Sequence, residues 1–207
     1  MNHIDAILYI NLAHRVDRNE HIINEIHKLC NDDSKIHRID AIQKDPGILG
    51  CGYSHIKALE YALQHPEWNT VLILEDDFTF KSNFSVEILT NIEMLFNYCN
   101  DFNILFLSHN HNKIKYKDTH LPFLKKVNYS QTASSYIIKR DYIQTLLNNM
   151  SDGVNDMVKN GVQHHNCVDI YWSKLMSLGK WYTIYPAIGY QYENYSDIEK
   201  KYTNYKC

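Results

Sequence analysis

Aliphatic and polar positions divide the chain into short unbroken apolar runs and longer stretches in which apolar residues recur every three or four positions. Unbroken runs predict strands buried on both faces, and the longer spacing predicts helices that cover a sheet. Strands are predicted at residues 6–10, 36–41, 71–74, 102–107, 123–129 and 133–139, and residues 181–185 are expected to close the ordered core. Helices are predicted from residue 17, from residue 54, and over residues 86–96, 140–149 and 168–176. This alternation favours an α/β fold around a mostly parallel central sheet.

Local signals refine this pattern. Asp17 and Glu20 have the spacing of a capping box at the start of the first helix. Residues 109–126 are polar and rich in lysine, which predicts a solvated loop. The tail from residue 192 is rich in Tyr, Asn and Lys but short of aliphatics, so we expect a lid, a docked arm or a frayed end.

Three consecutive carboxylates, Glu75, Asp76 and Asp77, follow the aliphatic run at 71–74. In an open α/β sheet the carboxyl ends of the strands face the ligand crevice. Mg²⁺ and Mn²⁺ bind there through one or two protein carboxylates, while nucleotide phosphates complete the coordination shell. The segment therefore predicts a divalent-cation site. A solvated turn that merely ends the strand remains the alternative.

Two segments are suited to binding an anion. Arg15 and Arg18 lie between the first strand and the first helix, where their guanidinium groups can fork onto a phosphate or a nucleobase edge. The glycine-rich segment 47–52 precedes Ser54 and predicts a loosened helix N-terminus with free N–H groups. It lacks the spacing of a P-loop or a dinucleotide fingerprint, and the two arginines also fit a solvated helix start.

Histidines suggest a second, weaker metal hypothesis. His109 and His111 could join His164, His165 and Cys167, but their spacing matches no metal-binding motif. A solvated loop around the first pair is the simpler interpretation.

Composition limits the class of protein. The 207 residues are 44% hydrophobic, enough for one domain with a sizeable core. A net charge of −3 argues against nucleic acid as a partner. The cysteines are odd in number, with no C-x-x-C spacing, so we expect them reduced. No apolar stretch approaches the ~20 residues of a membrane span, and we expect a cytoplasmic protein.

Five segments, in this order, resemble the motifs of glycosyltransferase family 25, which includes bacterial lipooligosaccharide galactosyltransferases and the procollagen galactosyltransferases. They are Ile10-Asn11-Leu12 with Arg15, Asp17 and Arg18; Gly47-Ile48-Leu49-Gly50-Cys51 with Ser54-His55; Leu74-Glu75-Asp76-Asp77; Thr132-Ala133-Ser134-Ser135-Tyr136; and Val168-Asp169 with Tyr185-Pro186 and Ser196-Asp197-Ile198. The resemblance covers nearly the whole chain. One departure is Gln131, which stands before Thr132 where the family usually has Gly.

The resemblance implies a GT-A fold and a metal-dependent hexosyltransferase. The donor would be a UDP-sugar, the metal Mn²⁺ or Mg²⁺, and the reaction the inverting transfer of galactose or glucose to a hydroxyl of a glycan, a lipooligosaccharide or a hydroxylysine-type acceptor. Residues 1–207 would form a single domain. Within it, 1–110 would bind the nucleotide sugar, 111–191 would bind the acceptor, and 192–207 would form the tail or lid.

The resemblance also implies roles for particular residues. Asp77, with Glu75, would bind the metal, and Gln191 or a late histidine would supply the remaining ligand. We expect Asp169 to be the general base, although a helix N-cap also fits that residue. Further candidates for the base are His164, His165 and Asp156. The donor-binding residues would be Asn11, Leu12, Arg15, Arg18, Asp40, Ser54, His55, Glu75 and Asp76, and the acceptor or sugar pocket would include Ser134, Ser135, Tyr136 and Gln191.

Two other functions remain open from the sequence. A catalytically weak nucleotide-sugar-binding module would keep Asp77 and the arginine loop but lack a working base. A metal-dependent phosphodiesterase or nuclease is less well supported, because such sites usually need a second acidic cluster or a nearby lysine, and the charge balance is wrong.

Overall fold

The computed structural model of the chain describes residues 3–82, 86–98 and 100–205. Its strands are β1 (Ala6–Asn11), β2 (Ile36–Asp40), β3 (Thr70–Glu75), β4 (Phe78–Phe80), β5 (Ile104–Phe106), β6 (Ile114–Asp118), β7 (Leu124–Ser130), β8 (Ser135–Lys139), β9 (Trp181–Ile184), β10 (Gly189–Gln191), β11 (Asn194–Ser196) and β12 (Lys201–Thr203). Its helices are α1 (Val16–His27), α2 (Gly47–Leu63), α3 (Val86–Tyr98), α4 (Arg140–Asn160), α5 (Val168–Tyr171) and α6 (Ser173–Met176). Cys99 and Cys207 lie outside the described residues, within which Cys30, Cys51 and Cys167 are free thiols.

A central sheet of eight strands organises the molecule, in the order β2-β1-β3-β8-β5-β9-β7-β6. The pairs β1–β2, β1–β3 and β5–β9 are parallel, and the other four pairs are antiparallel. It follows that β7 and β8 run opposite to the other strands of this sheet, which all point the same way. The predicted α/β fold with a mostly parallel sheet is confirmed.

Helices cover both faces of this sheet because the central strands are apolar on both sides. Leu8 of β1 packs in one core cluster with Leu59 of α2 and Leu146 of α4. Its neighbour Ile7 packs in the opposite cluster with Ile22 of α1. Successive side chains of a strand point to opposite faces, so one unbroken aliphatic run supplies both cores. Each buried Leu or Ile stabilises the fold by about 1.5–3 kcal/mol.

The segment 109–126 contains strand structure that its polar composition concealed. β6 lies at one edge of the sheet, and Lys115 and Lys117 on it are exposed. Lysines are common on edge strands because they discourage pairing with other chains. The predicted solvated loop is therefore wrong for residues 114–118.

Helix boundaries also differ from the prediction. Asp17 lies inside the first turn of α1, whose N-cap is Arg15, so the predicted capping box is absent. Helix α4 continues to Asn160, beyond the predicted end at residue 149. The predicted helix at 168–176 is divided into α5 and α6.

The glycines before residue 54 lie inside α2, which begins at Gly47. A Cβ atom at Gly50 would lie 2.3 Å from the carbonyl oxygen of Ile42, and one at Gly52 would lie 2.7 Å from Cγ2 of Val154. These glycines therefore allow α2 to pack closely against the loop after β2 and against α4. They do not loosen the helix.

The tail is a docked arm. Just before the tail, strand β10 pairs with β4 next to the acidic segment. Within the tail, β11 and β12 form an antiparallel hairpin. No helix in the described part of the chain combines the length and apolar character needed to cross a bilayer.

Candidate active site

A pocket of about 880 Å³ opens at the carboxyl ends of β1 and β3. Glu75, Asp76 and Asp77 line its floor. Its walls come from the loops after β1 and β2, the N-terminal half of α2, residues 131–133, the start of α5 and the tail. The strands thus bring together segments that are distant in sequence, at the edge where open α/β sheets bind their ligands.

The three carboxylates differ in their surroundings. Asp76 accepts hydrogen bonds from Asn11 Nδ2 at 2.8 Å and Arg18 Nη1 at 2.9 Å. Arg18 Nη1 also lies 3.3 Å from Asp77 Oδ2. Gln191 Nε2 donates to both Glu75 Oε2, at 3.0 Å, and Asp77 Oδ1, at 3.1 Å. Oxygens of Glu75 and Asp77 therefore converge on one nitrogen atom.

Negative charge at this point is incompletely balanced. Burial, followed by the neighbouring carboxylate of Glu75, raises the pKa of Asp77 to about 7. Burial also raises the pKa of Asp76, even though Arg18 and Asn11 act in the opposite direction. The buried carboxylate of Asp77 and the half-buried carboxylate of Glu75 have converging oxygens and excess negative charge, which fits a hard divalent cation such as Mn²⁺ or Mg²⁺.

The second oxygen of Glu75 contacts α2. Glu75 Oε1 lies 3.2 Å from His55 Nε2 and 3.6 Å from Cys51 Sγ. On the other side of the ring, His55 Nδ1 lies 3.1 Å from the hydroxyl of Tyr136. Both rings are buried, so this chain of contacts fixes the orientation of Glu75.

Asp169 faces the same pocket from the first turn of α5. Backbone hydrogen bonding at Asp169 and at Thr132 favours the charged form of its carboxylate. Burial, and then the charge of Glu75, raises its pKa. The N-cap of α5 is Cys167, so the interpretation of Asp169 as a helix cap is wrong.

Thr132 connects the two sides of the pocket. Its φ of 117° is unusual for a β-branched residue, a conformation that costs about 1–3 kcal/mol. In this conformation its N–H group bonds to Asp169, while its hydroxyl donates to Gln191 Oε1 at 3.1 Å. Thr132 thus contacts Asp169 through its backbone and Gln191 through its side chain. Gln191 in turn contacts Glu75 and Asp77.

The two arginines have different positions. Arg18 lines the pocket, and its Nη2 donates to the carbonyl oxygen of Tyr195 at 2.9 Å. Arg15 donates to Asp197 Oδ2 at 2.6 Å, to Asp17 Oδ2 at 2.9 Å and to the Tyr195 carbonyl at 3.1 Å. It lies outside the pocket lining and holds the tail.

The other predicted donor-binding residues also lie partly inside and partly outside the pocket lining. Leu12 and Ser54 line the pocket. The Ser54 hydroxyl donates to the Gly50 carbonyl at 2.7 Å and accepts the Ile42 N–H at 2.8 Å, so it anchors the loop after β2. Asp40 is exposed beside Arg38, outside the lining.

The predicted acceptor residues lie mostly behind the pocket wall. Ser134 and Ser135 are buried, with hydroxyls 2.7 Å from that of Ser108. Tyr136 is buried beneath His55, and Gln191 lines the pocket.

The histidine metal hypothesis is wrong. His109 is buried against Thr183, its Nδ1 2.9 Å from the threonine hydroxyl. His164 lines the pocket, whereas His165 lies 3.6 Å from Asp156. Within the described residues, the group of His, Cys and acidic side chains close enough to bind one metal ion is Cys51, His55 and Glu75.

Sequence reasoning missed several pocket residues. Asp197 and Tyr205 come from the tail, where the Tyr205 hydroxyl lies 2.8 Å from that of Ser196 and burial raises its pKa to about 12. For Asp197 the sequence did offer a signal, the family motif Ser196-Asp197-Ile198. Cys51 stood in the glycine-rich motif, but nothing in the sequence signals the backbone of Thr132.

Solved structures share this architecture. The chain resembles A197 from STIV with a TM-score of 0.55 at 12% identity, covering 92% of this chain and 87% of that one. It also resembles UDP-glucose pyrophosphorylase complexed with UDP-glucose, with a TM-score of 0.52 at 10% identity, covering 90% of this chain and 75% of that one. The expected GT-A-type fold is confirmed.

The family follows from the sequence match. The model of glycosyltransferase family 25, described as an LPS biosynthesis protein, matches residues 45–158, more than half of the chain. The chain belongs to this family and has a role in sugar transfer. No curated protein matches it.

Proposed function

We propose that the chain transfers a hexose, galactose or glucose, from a UDP-sugar to a hydroxyl acceptor with inversion of configuration. The observation that carries this proposal is that Asp169 lines the same pocket as Glu75 and Asp77, near enough to Glu75 for that charge to raise the pKa of Asp169. An inverting transferase needs charge stabilisation at the leaving diphosphate and a base on the opposite side of the anomeric carbon. The metal-side carboxylates and Asp169 would supply these two parts.

Glu75 and Asp77 would hold the metal ion, with Gln191 beside both as the candidate for the remaining ligand. When bound, Mn²⁺ or Mg²⁺ neutralises charge that develops on the diphosphate. Asp76 is held by Arg18 and Asn11, which supports a role in orienting the loop after β1. Arg18 provides positive charge at the pocket wall.

Asp169 takes the proton of the acceptor hydroxyl as the new bond forms. Its raised pKa supports this role, because a base is most effective when its pKa approaches the working pH. The N–H group of Thr132 holds the carboxylate in position.

We also propose that residues 1–110 contribute the donor side, residues 111–191 the acceptor side and residues 192–207 a cover over the donor.

A transfer assay with UDP-galactose and UDP-glucose tests this function, with Mn²⁺ or EDTA present and a panel of hydroxyl acceptors. We expect UDP release only with metal, and a β-linked product from the α-linked donor when product configuration is determined by NMR. A retained configuration would reject Asp169 as the base of an inverting reaction. UDP binding without release from any donor would instead identify a binding module.

A further inference from the structure

A second cluster of metal-ligating atoms lies on the pocket floor, beside the proposed metal site. Cys51 Sγ, His55 Nε2 and one carboxylate oxygen of Glu75 all lie within 4.8 Å of one another. Cys51 and His55 are four residues apart on α2 and so share one helix face, while Glu75 ends β3. The proposed transfer reaction makes no use of the thiol.

Two of the three distances between these atoms match coordination to one metal ion, and the third is below 4.8 Å. With Zn–S near 2.3 Å and Zn–N or Zn–O near 2.0 Å, tetrahedral angles put sulfur and oxygen about 3.5 Å apart, and nitrogen and oxygen about 3.3 Å apart. The corresponding distances here are 3.6 Å for Cys51 Sγ to Glu75 Oε1 and 3.2 Å for His55 Nε2 to the same oxygen. Thiolate, imidazole and carboxylate together favour Zn²⁺ over Mg²⁺ or Mn²⁺.

The surroundings hold His55 in a suitable orientation. Metal-binding histidines usually have a hydrogen-bond partner on the other ring nitrogen, and here Tyr136 OH lies 3.1 Å from Nδ1. A tyrosine hydroxyl can donate or accept, so the ring can carry its proton on Nδ1 and leave Nε2 free for a metal. Binding would then release one proton, that of the Cys51 thiol, and move the imidazole proton to Nδ1.

Solvent can reach this position. Cys51 and Glu75 are half-buried and line the pocket, so a fourth coordination position would face the pocket, as in zinc sites with three protein ligands. Glu75 turns its other oxygen towards Gln191 and the side of Asp77. We propose that Cys51, His55 and Glu75 Oε1 bind a Zn²⁺ ion, at a position separate from the metal proposed at Asp77.

The test is calorimetric titration of Zn²⁺ into the full chain with excess Mg²⁺ to occupy the harder site, together with Co²⁺ absorption spectroscopy. We expect a single Zn²⁺ to bind, with proton release, and Co²⁺ to show thiolate-to-metal absorption in the near ultraviolet. Cys51→Ser should weaken Zn²⁺ binding by about 100-fold or more and remove that absorption. Cys167→Ser is the matched control, since this half-buried thiol also lines the pocket, and it should keep both signals.

Alkylation of the unaltered chain provides a test that does not depend on a variant folding. Zn²⁺ should slow iodoacetamide labelling of Cys51, measured by mass spectrometry, and leave labelling of Cys167 unchanged. Equal Zn²⁺ affinity in the parent and Cys51→Ser, no thiolate absorption with Co²⁺, or no protection of Cys51 would each overturn the proposal. These signals do not require sugar transfer, so they stand or fall separately from the proposed function.

Discussion

Asp169 is the residue on which the proposed chemistry depends most directly. Asp169→Asn keeps the size of the side chain and an oxygen that can accept the Thr132 N–H group. We therefore expect the melting temperature and UDP affinity to change little, while transfer falls by about 10²–10⁴-fold, the usual cost of losing a positioned base. Initial transfer rates, thermal unfolding and calorimetry with UDP measure these three quantities.

Asp152→Asn is the control for this substitution, because Asp152 is an exposed carboxylate on α4. It should transfer sugar at the parental rate. A parental rate in Asp169→Asn as well would place the base elsewhere, with His164 as the remaining candidate, because His165 and Asp156 lie outside the pocket lining.

Asp77 should destabilise the metal-free protein at neutral and alkaline pH. Its pKa is raised from 3.8 to about 7 by burial and by Glu75, so well below pH 3.8 the carboxyl is neutral in both folded and unfolded chains. Between about pH 4 and pH 7 the unfolded chain ionises while the folded chain keeps its proton, so stability falls as the pH rises across this range and stays at the lower value above pH 7. In EDTA, Asp77→Asn should thus melt higher than the parent at pH 8, and the difference should disappear as the pH falls to about 3.

Mn²⁺ provides the matching control for that measurement. It should raise the melting temperature of the parent at pH 8 and have much less effect on Asp77→Asn. A variant that melts below the parent in EDTA at pH 8 would mean that Arg18 and Gln191 already compensate the charge of Asp77.

The tail hairpin is the element through which we expect Arg15 to affect donor binding. Arg15 bonds to Asp197 and to the Tyr195 carbonyl, and it lies outside the pocket lining. We expect Arg15→Ala to raise the donor KM more than it lowers kcat, the pattern of lost uniform binding. If Arg15 acts through the tail, Asp197→Ala should have a similar effect, and the double variant should be little worse than either single one.

Lys201→Ala tests whether any change in the tail has this effect, because Lys201 is an exposed tail residue outside the pocket lining. It should leave the donor KM unchanged. Additive effects of Arg15→Ala and Asp197→Ala on the donor KM would instead support direct contact between Arg15 and the nucleotide.

Elements were predictable where burial imposes a pattern. The aliphatic runs of β1 and β3 could only be strands buried on both faces, and their positions were predicted to within a residue or two. β6 was missed because an exposed edge strand has no apolar face to reveal it. The role of Gly50 and Gly52 was misread because close helix packing and a loosened helix end require the same residue type.

At the scale of the whole molecule, these sequence patterns predicted the fold, but they predicted only part of the candidate site. Glu75, Asp76, Asp77 and Asp169 were identified as candidates from strand ends and family motifs, and they do line one pocket. The tail contacts of Arg15 span about 180 residues of sequence, from 15 to 195 and 197, and no local pattern encodes such a contact. The same holds for the convergence of Cys51, His55 and Glu75.

The central claim is that the acidic end of β3 binds a nucleotide diphosphate through a divalent metal. Calorimetric titration of UDP into the parent and into Asp77→Asn, each with Mn²⁺ and with EDTA, tests it most directly. We predict that the parent binds UDP with Mn²⁺, that EDTA abolishes or greatly weakens this binding, and that Asp77→Asn behaves in Mn²⁺ as the parent does in EDTA. UDP affinity in the parent that is the same with Mn²⁺ and with EDTA would contradict the account.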